Sequence, residues 1–302
     1  MARIAQGHNG VFRLRPDETW CPSCHGRDFE QTFVLRSHVI GRCTHCGLLT
    51  NLSFPQSNPG AVFDSAYHGD AQSAAFAISG YGEGDPSREI WGRGLDLLTS
   101  RTPGGRLLDV GAARGSFVAL ARARNWDAEG VELSADAARL AREEHGMPVR
   151  SGTLDQLPIG EPFDAITIWD VLEHVTDVHG TLESARRLLK PDGMLLVTTD
   201  NFDSLIADLS RAVLGVTRGT VSFPVERFFI PYNTVYFTPE SLRAAFLAAG
   251  LENTYTAGID YPLAKMNLSG PQRIATRGLY ALGRGIGRES QMLCIAQPRE
   301  ID

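Results

Sequence analysis

The first strong pattern is an apolar run, Leu107-Leu108-Asp109-Val110, that breaks at Gly111 and opens a helix near Ser116. A second strand, Asp127 to Val131, ends in Glu132, and Ser134 caps a helix that stops before Gly146. Met147 to Arg150 predicts a short third strand, and Phe163 to Trp169 a fourth, continuously apolar one. Asp177 to Lys190 has the spacing of an amphipathic helix, closed by a Pro191-Asp192-Gly193 turn that feeds a strand at Met194 to Thr199. Thr238 and Pro239 start a further helix, stopped by Gly250, before strands at Leu251 to Ala257 and Gln291 to Gln297. Seven strands with interleaved helices predict an α/β fold, a doubly wound sheet.

Polar residues at the strand ends suggest chemistry. Asp109 sits at the carboxyl edge of a buried strand, and Gly111 and Gly115 allow close backbone approach by a ligand. Glu132 ends the next strand, so two acids flank a glycine turn, which fits a ribose diol and an adenosine. A dinucleotide turn wants G-x-G-x-x-G for a pyrophosphate, whereas Asp109 would repel phosphate and suits a cationic amino-acid end. This stretch resembles motif I of the class I S-adenosylmethionine-dependent methyltransferases, D-x-G-x-G-x-G, with Ala113 in place of the middle glycine. Phe163 to Ile166, Trp169 to Val175 and Leu188 to Gly193 are similar to later motifs of the same enzymes, in the same order.

The resemblance implies a seven-stranded Rossmann-like methyltransferase sheet with S-adenosylmethionine as cofactor. By it, Asp109, Gly111, Ala112 and Gly115 surround the cofactor, Glu132 holds the ribose hydroxyls and Leu133 packs on the adenine. Thr153 and Leu154 lie at the adenine edge, although many relatives have Asp where Thr153 stands, and Trp169 and Asp170 border the cofactor. His174, just beyond Asp170, is a candidate general base for an acceptor hydroxyl, or else a hydrogen-bonded structural histidine.

Cysteine spacing adds a second module. Cys21 and Cys24, then Cys43 and Cys46, form two C-x-x-C knuckles with 18 residues between them, the ligand set of a structural four-thiolate zinc site. A small N-terminal zinc ribbon at 15–52 is therefore expected, then an aromatic linker or lid at 53–102 and the methyltransferase domain at 103–302, with inserts near 203–236 and 260–290. Knuckles, aromatic linker and core in this order are similar to a bacterial family that includes sugar C-methyltransferases and methyltransferases encoded with polysaccharide or antibiotic glycosylation genes. That resemblance implies a sugar or otherwise glycosylated acceptor. Tyr67, His68 and Tyr81 in the linker, with Tyr232 and Tyr236, are candidate acceptor contacts. The stretch Tyr232 to Pro239 lacks the histidine of the C-methylating relatives, which favours O-methylation.

Charge narrows the partners. A net charge of −6 argues against a broad nucleic-acid footprint, although an RNA methyltransferase with a basic ribbon (Arg13, Arg15, Arg27, Arg36, Arg42) is the rival enzyme. A catalytically silent cofactor-binding module is the non-enzymatic rival. No apolar run approaches the roughly 20 residues of a bilayer span and no signal-peptide core opens the chain, so a cytoplasmic protein is expected. In 271–288, Arg273, Arg277, Arg284 and Arg288 mingle with apolar residues, which fits a weak membrane-surface contact, a phosphate-bearing substrate or a solvated helix face.

Overall fold

A computed structural model describes residues 11–13, 20–35, 38–54, 84–217, 232–266 and 268–299. The N-terminal part forms β1 (Val11–Arg13), β2 (Asp28–Val34), β3 (Val39–Cys43) and β4 (Leu49–Asn51). Then come α1 (Arg88–Thr99), β5 (Gly105–Val110), α2 (Ser116–Ala123), β6 (Trp126–Glu132), α3 (Ala135–His145) and β7 (Val149–Ser151). The chain continues through β8 (Phe163–Trp169), α4 (Val178–Leu188), β9 (Leu189–Asp200) and α5 (Leu205–Val216). It ends with β10 (Val235–Tyr236), α6 (Pro239–Ala248), β11 (Leu251–Ile259), α7 (Gly270–Gly285) and β12 (Gln291–Pro298).

Seven strands make the main sheet in the order β11-β12-β9-β8-β5-β6-β7. The sheet is mixed. Strands β5 to β9 pair in parallel, while β12 runs antiparallel to both β9 and β11. Both faces are covered, which is why the central strands read as unbroken apolar runs rather than alternations. Leu108, Ile166 and Leu195 point to one core with α4 and α6, and Leu107, Ala165 and Leu196 to the other with α1, α2 and α3.

The helix caps are where the sequence places them. Ser134 Oγ accepts from Ala137 N, Gly146 ends α3 in the left-handed region, and Thr238 and Ser241 form a reciprocal capping box. Between α4 and β9 the expected turn takes another form. α4 ends at Leu188, Leu189 is already extended, and the register against β8 jumps from Phe163 opposite Leu189 to Ala165 opposite Met194. Residues 190–193 therefore bulge out of the sheet, which suits Pro191, whose missing N–H serves no ladder. α7 is one continuous helix despite Gly278 and Gly283, with Gln272 Oε1 accepting from Ser269 N at its start.

The N-terminal strands do not close a sheet alone. The small antiparallel sheet runs β1-β2-β3-β4-β10, so its last strand comes from the insert near 203–236. Asn51 N donates to Thr234 O at 2.8 Å and Asn51 Nδ2 to Asn233 O at 3.1 Å. Cys21, Phe29, Cys43, Leu48 and Leu52 belong to the same buried cluster as α4 and α6. The module is thus welded to the large domain by sheet pairing and a shared core.

Candidate active site

The carboxyl edge of β5, β6, β8 and β9 gathers most of the residues singled out by the sequence. Gly111 N and Ala112 N both donate to Val131 O, which pins the turn after β5 to β6. Gly111 has φ +74, and a Cβ there would come within 2.4 Å of Val171 Cγ2. Gly115, at φ +82, is the N-cap of α2. Between them Ala113 also adopts a positive φ of 45°, the strained region that the usual glycine at this place would enter freely.

Glu132 holds this turn through its carboxylate. Ala113 N donates to Oε2 at 2.9 Å and Ser134 N to Oε1 at 2.8 Å, and the side chain is buried. The neighbouring Leu133 is 41% exposed and offers an open apolar surface. Gly152 N donates to Glu132 O, bringing Thr153 alongside, but Leu154 is buried in the core. Asp109 is buried with Thr167 Oγ1 donating to it at 2.8 Å. Burial raises its pKa to about 8, against the Thr167 hydrogen bond and with a smaller push from Glu132. Among the described residues no cation pairs with it. The glycine turn, the buried acid ending β6, the exposed Leu133 and the buried carboxyl of Asp109 stand together at one edge of the sheet.

Beyond Trp169, which packs on Phe117 at 5.0 Å, lies a second acidic group. Asp170, at φ +53, accepts from Thr198 Oγ1 (2.9 Å) and from Gln291 Nε2 (3.2 Å). The same Gln291 amide donates to Asp200 Oδ1 at 3.2 Å, and Thr199 Oγ1 donates to Glu173 at 3.0 Å. Burial raises the pKa of all three carboxyls, that of Asp200 to about 7. Repulsion from Asp170 adds to the rise at Glu173 and Asp200, whereas Lys265 works against the rise at Asp170. Sequence reasoning passed over Asp200, Thr198, Thr199 and Gln291. The polar triplet closing the apolar β9, Thr198-Thr199-Asp200, is the signal that marks them.

His174 follows Glu173 in a single 3₁₀ turn, Leu172–His174. Its Nδ1 lies 3.3 Å from Tyr232 O, and burial lowers its pKa to about 4, so the ring is neutral at pH 7. Tyr236 is fully buried, its hydroxyl 3.1 Å from His38 Nε2 of the small sheet and its ring 5.0 Å from Phe202. Tyr67, His68 and Tyr81 lie outside the described residues.

The four knuckle cysteines converge. Their Sγ atoms all lie within 4.8 Å of one another, with Cys21 to Cys46 and Cys24 to Cys43 each at 3.5 Å. Zinc–sulfur bonds of about 2.3 Å require tetrahedral edges of roughly 3.8 Å, so the donor set fits such an ion after small shifts. Four thiols fill every position and leave none for a substrate.

Comparison with known proteins supports this reading of the edge. A family model described as a methyltransferase domain matches residues 87–256, more than half of the chain. The ubiquinone biosynthesis O-methyltransferase of Xylella fastidiosa is 32% identical over 130 residues, 40% of this chain and 52% of that protein. Its counterpart in Bordetella avium is 28% identical over 200 residues, 62% of this chain and 78% of that one. The chain spans about half to three fifths of the length of the first few such relatives. Among solved structures, an S-adenosylmethionine-dependent methyltransferase from Archaeoglobus fulgidus aligns with a TM-score of 0.50 at 17% identity, over 78% of this chain and 98% of its own. A Haloferax volcanii complex of the Trm112 methyltransferase activator with a methyltransferase gives 0.52 at 16% identity, over 79% and 97%. These two show the fold alone. The turn after β5, the acid ending β6 and the family match over residues 87–256 together establish that the chain belongs to the methyltransferase domain family, with a class I S-adenosylmethionine-dependent domain.

Proposed function

We propose that this chain methylates a hydroxyl oxygen of a small polyhydroxylated acceptor, such as a sugar or polyol head group, with its four thiolates holding one structural zinc. The observation that carries the oxygen reading is the cluster of carboxyls, Asp170, Glu173 and Asp200, at the ends of β8 and β9. Transfer to a hydroxyl leaves a proton that must go to a base, and Asp200 stands partly exposed at the edge with its pKa near neutral. Asp170, Glu173 and Gln291 offer further hydrogen-bonding groups to neighbouring hydroxyls. The relatives named as O-methyltransferases point the same way.

S-adenosylmethionine, when bound, supplies a methyl carbon activated by a cationic sulfur. This chain's residues do the rest by placing the acceptor oxygen in line with that carbon and taking its proton. Asp200 would take the proton that the acceptor hydroxyl loses on methylation. His174, neutral and bound to the Tyr232 carbonyl, holds the 3₁₀ turn in place.

The test is labelled methyl transfer to a panel of glycosides, lipid-linked sugars, catechols and RNA. Methyl on oxygen is expected. Turnover should rise with pH through about 7, as Asp200 loses its proton. Asp200→Asn should lower turnover on the order of a hundredfold and abolish that rise, with affinity for S-adenosylhomocysteine retained. His174→Ala should lower the thermal midpoint and keep the rise. Methyl recovered on carbon or nitrogen refutes the proposal.

A separate expectation concerns Asp109. With its pKa near 8 the carboxyl is mostly protonated at pH 7, and pairing with the ammonium of S-adenosylhomocysteine should ionise it. Calorimetry in buffers of different ionisation enthalpy should therefore show close to one proton released at pH 7. Asp109→Asn should show none.

A further inference from the structure

Six of the ten exposed large apolar side chains among the described residues, Leu209, Val213, Val216, Ile274, Leu282 and Ile286, lie on α5 and α7 or at the end of α7. Their exposures run from 37% at Val213 to 86% at Val216. The spacing is helical on both elements, so each turns an apolar stripe to solvent. The opposite face of α7, at Thr276, Tyr280 and Gly283, is the buried one.

The two helices are tied together. Leu205 N donates to Arg288 O, and Arg288 pairs with Asp208 and donates to Asp203 O. α7 contains three arginines and no acid. Arg284 pairs with Asp260, while Arg273 and Arg277, one turn apart beside the apolar stripe, have no acidic partner among the described residues. An apolar stripe edged by two such cations is the pattern of a helix lying in a lipid headgroup layer. A second copy of this chain fits less well, because α7 against α7 would bring like charges together with no acid on the helix to offset them.

We infer that α5 and α7 form a contact surface for an anionic phospholipid bilayer. The helix pair is joined at both ends to the acid edge: α5 begins five residues after Asp200, and β12, which follows α7, begins at Gln291. A bilayer seated there would present an acceptor head group attached to a lipid. This last step rests on the transfer reading proposed above; the surface contact itself does not.

The experiment is flotation of the purified full chain with phosphatidylcholine vesicles containing roughly one third phosphatidylglycerol. The protein should float with them at low salt, much less at high salt, and poorly with pure phosphatidylcholine. The pair Ile274→Asp with Leu282→Asp, and separately Arg273→Glu with Arg277→Glu, should each reduce binding by about tenfold or more. Their thermal midpoints and S-adenosylhomocysteine affinities should match the unaltered protein. Absence of vesicle binding, or binding that these substitutions leave unchanged, overturns the inference. So does self-association in sedimentation that the same substitutions abolish, which would assign the face to a second copy. Because binding is read without an acceptor, failure of the methylation screen and failure of the surface contact are distinguishable.

Discussion

Cys43→Ser is expected to lower the thermal midpoint by roughly 10 °C, because loss of a metal site belongs to the largest class of single-residue effects, about 5 kcal/mol, and a chain of this size moves about 2 °C per kcal/mol. Cys43 is 1% exposed and packs with Phe29 and Leu48 in the cluster shared with α4 and α6, so the damage passes beyond the knuckles. β4 pairs with β10, and Thr234 beside β10 donates to the carbonyls of Glu173 and Val175. Collapse of the ribbon therefore loosens the turn that carries Glu173 and His174. Cofactor affinity, expected to be set across β5 and β6, should change by less than about threefold below the transition, since distant sites act nearly independently. Elemental analysis should find one zinc per chain in the unaltered protein and little in the variant. A metal-free, fully stable chain would sink the structural-zinc reading.

The second large effect is at Glu132. Its two carboxylate oxygens accept from Ala113 N and Ser134 N, so both neighbours are donors. Glutamine is nearly isosteric, but its amide nitrogen must then face one of those N–H groups, donor against donor. Glu132→Gln thus both loses the charge expected to hold the ribose diol and unseats the turn. Hydrogen bonds to a charged group are worth about 1.5 to 3 kcal/mol, and every 1.4 is about tenfold, so S-adenosylhomocysteine should bind at least about tenfold more weakly by calorimetry. An affinity within twofold of the unaltered protein would contradict the role given to Glu132.

Much of this architecture is legible in the residue order because the determining signals are local. Asp109, Gly111 and Gly115 announce a strand, a turn and a helix start within nine residues, and the structure realises each at β5 and α2. The caps at Ser134 and Thr238 and the buried run of β8 are read just as directly. Two C-x-x-C pairs imply one thiol cluster because their spacing permits few other uses, and the four sulfurs do converge.

What the sequence by itself determined, then, was the α/β class, the cofactor turn and the thiol quartet, each written in residues close together or in a spacing with chemical meaning. Only the tertiary structure decided that β10 completes the ribbon's sheet, that β12 runs against its neighbours, and that Asp170, Glu173, Asp200 and Gln291 share one edge. Those residues are separated by up to 121 positions, and no local rule pairs them. Burial also exists only in the fold. It raises Asp200 toward neutrality and lowers His174 to about 4, so two groups with ordinary values in an unfolded chain acquire opposite prospects as bases.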